Sequence, residues 1–163
     1  MNYQKIYLND MVNGEGIRVT LFLSGCSHKC RGCYNQSTWN PSNGKHFSKE
    51  VEDKILEQLG KPYIKGLSVS GGDPLNDANV FDLVVFLSRV KALYPNKDIW
   101  LWTGYTLDEI VSNKDSSSFE RCRYSIYLNY VDVLIDGKFI EELKDPSLLW
   151  RGSSNQIIHI RNL

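Results

Sequence analysis

Cys26, Cys30 and Cys33 sit in the stretch SGCSHKCRGCYN (residues 24–35), so three of the four cysteines in this 163-residue chain fall within eight positions. Soft thiolates at such spacing select zinc or an iron–sulfur cluster. Structural zinc closes with four ligands, usually drawn from two separated pairs. Here there is one triplet and no second pair, so a Cys3His zinc site would need His28 or His46 as its fourth ligand. Three thiolates on a four-iron cluster leave one iron open instead, and an open position is what catalytic metal centres keep. Lys29 and Arg31 add positive charge beside the triplet, either to offset an anionic cluster or as ordinary solvated charge. Cys122 stands apart between Arg121 and Arg123 and reads as a partly buried thiol with no metal role.

Something must hold that loop, and the chain around it alternates strand and helix. Residues 17–23 are β-branched and aromatic-rich between Gly16 and Gly25, which predicts a strand ending at the cysteine loop. Val51, Ile55 and Leu59 recur within residues 48–59, with Ser48 as N-cap and Gly60 as stop, the pattern of an amphipathic helix. Residues 66–70 predict a second strand closed by Gly71-Gly72-Asp73-Pro74. Val80, Leu83, Val84, Leu87 and Val90 predict a long helix that ends by Pro95. A third strand over 98–103 stops at Gly104, followed by a capping box of Thr106 with Glu109 and a staple of Tyr105 with Ile110. Residues 113–118 read as a polar surface loop, and 131–135 and 156–160 as the last two strands.

This alternation implies an α/β fold with a mostly parallel sheet and right-handed crossovers. Ligands of such sheets gather at the carboxyl ends of strands. Those ends carry SGCSHKC, SGGDP, TGY and DGKF. Lys+Arg and Asp+Glu both number 19, a balance that carries no polyanion-binding signature and speaks against nucleic acid as partner. The length suits a single domain over residues 1–163. With no membrane-length apolar run and no basic-then-apolar start, the expectation is a cytoplasmic protein away from the membrane. Clustered thiols in that reducing compartment serve metals or redox chemistry rather than disulfides.

C-x3-C-x2-C after the first strand and SGGDP after the second resemble the radical S-adenosylmethionine family. Further blocks are similar to one subfamily, the activating proteins of anaerobic ribonucleoside-triphosphate reductase. They are NGEGIR (13–18), CRGCYNQSTW (30–39), SGGDPL (70–75), KDIWLWTGY (97–105), DVLIDGKF (132–139) and DPSLLWRGSSNQ (145–156). The similarity runs to about Gln156 and is interrupted over 113–130, a stretch that reads as longer than the family's and as a species-specific loop. The family usually sets an aromatic residue just before the third cysteine, whereas here Gly32 precedes Cys33 and Tyr34 follows it.

The resemblance implies an incomplete, open (β/α) barrel whose cofactors are a [4Fe-4S] cluster on Cys26, Cys30 and Cys33 and S-adenosylmethionine on the open iron. One electron from the reduced cluster would cleave S-adenosylmethionine to methionine and a 5′-deoxyadenosyl radical. That radical would take hydrogen from a glycine of the large reductase subunit, the protein partner, with a flavodoxin-type donor supplying the electron. Gly32 and Tyr34 would pack adenine, and the Gly71 and Gly72 carbonyls with Asp73 would hold the methionine ammonium. Thr103 and Asp136 would bond ribose or the methionine carboxylate, and Lys138 would pair with that carboxylate. Thr103, Asp136 and Lys138 read equally well as residues that cap strand ends. Trp100 and Trp102 read as core rather than contact surface and His159 as structural. Trp150–Gln156 is a donor-rich turn for a cofactor, a partner or the last strand. Two other readings stay open: a radical enzyme acting on another glycyl-radical protein or a small molecule, and a non-catalytic zinc-binding interaction module.

Overall fold

A computed structural model describes residues 1–161. In chain order the strands are β1 (Asn2–Asp10), β2 (Arg18–Leu23), β3 (Lys45–His46), β4 (Gly66–Gly71), β5 (Asp98–Trp102), β6 (Val133–Asp136) and β7 (Ile157–Ile160). The helices are α1 (Lys49–Leu59), α2 (Val80–Leu93), α3 (Leu107–Ser112) and α4 (Ser118–Asn129). Two short 3-10 turns cover Gln36–Thr38 and Glu141–Leu143.

The strands form one open seven-stranded sheet in the order β3-β1-β2-β4-β5-β6-β7. β2, β4, β5 and β6 are parallel, while β1, β3 and β7 join the two sides antiparallel. The parallel core is the expected one; the antiparallel margins are additions to it. β1 escaped the sequence reading altogether. Lys5, Tyr7 and Asn9 are exposed there while Ile6 and Leu8 turn inward, so its alternation mixes aromatic and charged residues on one side.

Because successive side chains of a strand point to opposite faces, each central strand serves two cores. Val19, Leu21 and Leu23 of β2, Leu67 and Val69 of β4, and Ile99 and Leu101 of β5 meet the four helices in one large aliphatic cluster. The helices bring Ile55 and Leu59, Val80, Leu83, Phe86 and Leu87, Ile110 and Ile126 to it. The interleaved residues face away from the helices. There Trp100, Val133 and Ile135 form a second cluster with Trp102, Trp150 and Ile158.

Local signals set the helix ends as expected. Ser48 Oγ accepts from Val51 N–H at the start of α1 and Gly60 caps its end. Thr106 and Glu109 form the complete capping box of α3. The 113–130 stretch departs from expectation: only its first part is a loop, and Ser118–Asn129 is helix α4 capped by Ser117. It packs against α2 and α3 through Ile126 and the aromatic residues beside it. Arg123 is buried at 3% exposure, donates to the Leu75 carbonyl (2.8 Å) and pairs with Asp77 and Glu120. Among the described residues no helix is long and apolar enough to cross a membrane.

Candidate active site

The helix-free face opens into a cavity of about 400 Å³. That size suits a small-molecule ligand. Cys26, Cys30, Gly32, Cys33 and Tyr34 line it from the loop after β2, and Ser70, Gly71 and Gly72 from the end of β4. Trp102, Thr103 and Gly104 enter from β5, and Gly137, Trp150, Arg151, Gly152 and Gln156 from the chain between β6 and β7. The carboxyl ends of the parallel strands thus supply the site, as the motif positions require.

Backbone contacts seat the cysteine loop on the glycine turn. Gly25 N–H donates to the Thr38 carbonyl (2.7 Å), Cys26 N–H to the Trp39 carbonyl (3.1 Å) and Asp73 N–H to the Gly25 carbonyl (2.7 Å). A Cβ on Gly72 would lie 2.6 Å from the Gly25 carbonyl oxygen and 2.8 Å from that of Thr38. Those atoms are main chain and cannot swing aside, so only glycine lets the two loops close together. Asn79, 1% exposed, ties the same junction by donating to the carbonyls of Ser24 (2.8 Å) and Asp73 (3.0 Å). Sequence reasoning gave Asn79 no role; as a polar residue just before a helix it resembles any N-cap.

All three cysteines are free thiols, half-buried, in one wall. Burial pushes the Cys26 thiol above its ordinary value, against backbone hydrogen bonds at His28 and Lys29. Such a thiol keeps its proton until a metal displaces it. Among the described residues no three His, Cys, Asp or Glu side chains converge on a point where one ion would sit. The two histidines proposed for zinc lie in different settings. His28 Nε2 is 2.6 Å from Asp73 Oδ2, and His46 lies in the outer edge strand β3. Three free thiols with a cavity beside them fit a cluster with one open iron.

The remaining predicted residues divide. Gly32, Tyr34, Gly71, Gly72 and Thr103 line the cavity, with Tyr34 90% exposed at its rim. Asp73 does not line it. Its carboxylate is 1% exposed and accepts from Leu75 N–H (2.8 Å), Thr103 Oγ1 (2.9 Å), Gly104 N–H (2.9 Å) and His28 Nε2. With both oxygens engaged, it has no free lone-pair direction for a ligand ammonium. Asp136 is likewise buried, accepting from Leu107 N–H (2.6 Å) at the start of α3, with His159 Nε2 3.0 Å away. Lys138 is exposed and outside the wall; Gly137 lines it in its place.

Trp102, expected in the core, is part of the wall, and its Nε1 donates to the Trp150 carbonyl (2.7 Å). Trp150 accepts this role in a left-handed conformation, φ 57°. Gln156 braces the turn, accepting from Gly152 N–H (2.8 Å) and donating to the Gly137 carbonyl (2.9 Å). Arg151 Nη1 donates to the Gln156 carbonyl (3.1 Å), while its Nε is buried in the wall with no partner. Arg151 thus sets a guanidinium in the cavity wall, the group that pairs with carboxylates. The signal for it was the donor-rich turn itself, but the cation singled out from sequence was Lys138.

An open sheet with a parallel core, three thiols at C-x3-C-x2-C and a glycine turn on the next strand define an iron–sulfur domain of the radical S-adenosylmethionine type. Accordingly, the family model described as a 4Fe-4S single cluster domain matches residues 12–159. An anaerobic ribonucleoside-triphosphate reductase-activating protein of Vibrio cholerae is 52% identical over 161 residues, spanning 98% of this chain and 97% of that protein. The protein of the same name from Escherichia coli K12 is 49% identical over 161 residues, covering 98% of each. That of Enterobacteria phage T4 is 48% identical over 156 residues, 96% of this chain and 92% of the phage protein. The chain belongs to the family of anaerobic ribonucleoside-triphosphate reductase-activating proteins.

Proposed function

We propose that this protein is an activase for anaerobic ribonucleoside-triphosphate reductase, working as one domain in the cytoplasm. Cys26, Cys30 and Cys33 hold a [4Fe-4S] cluster, and the cavity beside them takes S-adenosylmethionine. When bound and reduced, the cluster supplies the single electron that splits S-adenosylmethionine into methionine and a 5′-deoxyadenosyl radical, which takes hydrogen from a glycine of the large reductase subunit. A flavodoxin-type protein supplies the electron.

The chain's own residues act by position. Gly71 and Gly72 let main chain approach the ligand without a Cβ in the way. Gly32 and Tyr34 flank the third cysteine and pack adenine, while Trp102 and Trp150 close the wall against water. Arg151 lines the cavity and its guanidinium takes the methionine carboxylate, the role that Thr103, Asp136 and Lys138 had on sequence grounds. Thr103 sits in the wall with its hydroxyl turned to Asp73, and Asp73 works behind the wall rather than in it. The observation that carries the reading is the meeting of three free thiols, a glycine turn and the Arg151 side chain around one cavity.

The experiment is to reconstitute the protein anaerobically with iron and sulfide and mix it with the reductase large subunit, S-adenosylmethionine and dithionite. A glycyl doublet in the electron paramagnetic resonance spectrum, with 5′-deoxyadenosine and methionine released, is the expected outcome. A protein that releases both products yet leaves the reductase without a radical belongs to a different substrate.

A further inference from the structure

Between Cys26 and Cys33, the side chain that is both nearly buried and hydrogen-bonded among the described residues is His28, 7% exposed. Arg31 also forms ion pairs, with Glu141 and Glu142, but at 83% exposure these hold the loop weakly. His28 therefore decides where the middle of the cysteine loop lies.

Its surroundings form a continuous support. A carboxylate only accepts, so His28 Nε2 carries the hydrogen it gives to Asp73. The same Asp73 collects Leu75 N–H from the glycine turn and Thr103 Oγ1 and Gly104 N–H from the end of β5. One buried carboxylate thus joins three strand ends. From its other side the His28 ring stands edge-on to Tyr105, centroids 4.6 Å apart. Gly104 abuts it so closely that a Cβ there would sit 2.7 Å from Nε2. Tyr105 is in turn covered by the Arg123 guanidinium at 4.4 Å, and α4 fixes that guanidinium by its bond to the Leu75 carbonyl (2.8 Å).

Resting on the function proposed above, we propose that His28 is a positioning residue. Its bond to Asp73, seated on Tyr105 and Arg123, fixes the cysteine loop against the glycine turn. Cluster and S-adenosylmethionine are thereby held in one register, and α4 acts on the site without touching it. The thiols themselves do not need the bond to bind iron. The cavity between the loop and the turn does need it to keep its shape.

Two substitutions separate this from a general packing role. His28→Phe keeps a ring against Tyr105 and Gly104 but gives Asp73 no donor. His28→Gln restores an N–H donor without the ring. The measurements are iron content after anaerobic reconstitution and S-adenosylmethionine affinity by equilibrium dialysis on the same samples. Expected are native iron content in both variants, affinity about tenfold weaker in His28→Phe, and recovery of most of the loss in His28→Gln. His28→Phe binding as tightly as the native protein overturns the proposal. If His28→Phe does not fold, Tyr105→Leu removes the seat instead and is expected to weaken binding about threefold; native affinity there overturns the proposal equally. Native protein that holds its iron but binds no S-adenosylmethionine overturns the proposed function itself, a distinct result.

Discussion

The two faces of the central strands differ in chemistry although their residues alternate one by one. On the helix side Val19, Leu21, Leu23, Leu67, Val69, Ile99 and Leu101 are completely buried aliphatics closed over by four helices. On the other side Arg18, Thr20, Phe22, Ser68, Ser70, Trp100 and Trp102 mix charge, hydroxyls and aromatic rings, and a cavity lies over their carboxyl-end half. At the opposite end that face is plugged. Arg18, 0% exposed, donates to Ser68 Oγ (2.7 Å) and the Leu67 carbonyl (2.9 Å), pairs with Asp98 (2.7 Å) and lies over Trp100. Burial pushes the Arg18 pKa below the guanidinium norm, with Asp98 working the other way. One face supplies cohesion, and the other gives up dense aliphatic packing to hold a site. A sheet can do both because the two sets never share a side chain.

Substitutions that respect or cross that division test it. The largest effect expected is from Cys26→Ala, Cys30→Ala or Cys33→Ala. Each should abolish the cluster and activity, while apo stability by chemical denaturation moves by less than about 0.5 kcal/mol. Leu21→Ala, one residue from cavity-lining Phe22 but on the helix side, should cost about 2–5 kcal/mol in the same assay. Its folded fraction should still take up iron. Arg151→Met should leave iron content and stability near native and weaken S-adenosylmethionine binding about tenfold, read by equilibrium dialysis. Smallest of all, Cys122→Ala, beside the helix-side core and outside the cavity lining, should leave iron content and activity at native levels. Loss of the cluster in Cys122→Ala would mean that the ligand set is wrong.

What the sequence made legible was local. The strand before the cysteine loop, the caps of α1 and α3, and the turns at strand ends each follow from neighbouring residues, and the structure has them. Helix α4 was hidden because its inward residues are Arg123 and Ile126, so a buried cation interrupts the apolar stripe that marks a helix. β1 was hidden because its pairing with β2 is antiparallel and its outward residues include Tyr7 as well as Lys5. The thiols, Gly71 and Gly72 were legible as residues of the site through motif spacing. The role of Asp73 was not, since a motif shows that a carboxylate is present but not which way it faces. Its His28 partner lies 45 positions earlier, and only the fold shows that the two meet. Arg151 was masked for a similar reason. Its place in the cavity wall is a property of the folded turn, and Lys138 offers the same charge in the sequence.

The most direct test of the account is electron paramagnetic resonance of the anaerobically reconstituted, dithionite-reduced protein, recorded with and without S-adenosylmethionine. The account predicts a four-iron signal whose shape changes when S-adenosylmethionine is added, because the ligand occupies the iron that Cys26, Cys30 and Cys33 leave open. A protein that takes up no iron, or a reduced cluster whose signal is indifferent to S-adenosylmethionine, would contradict it.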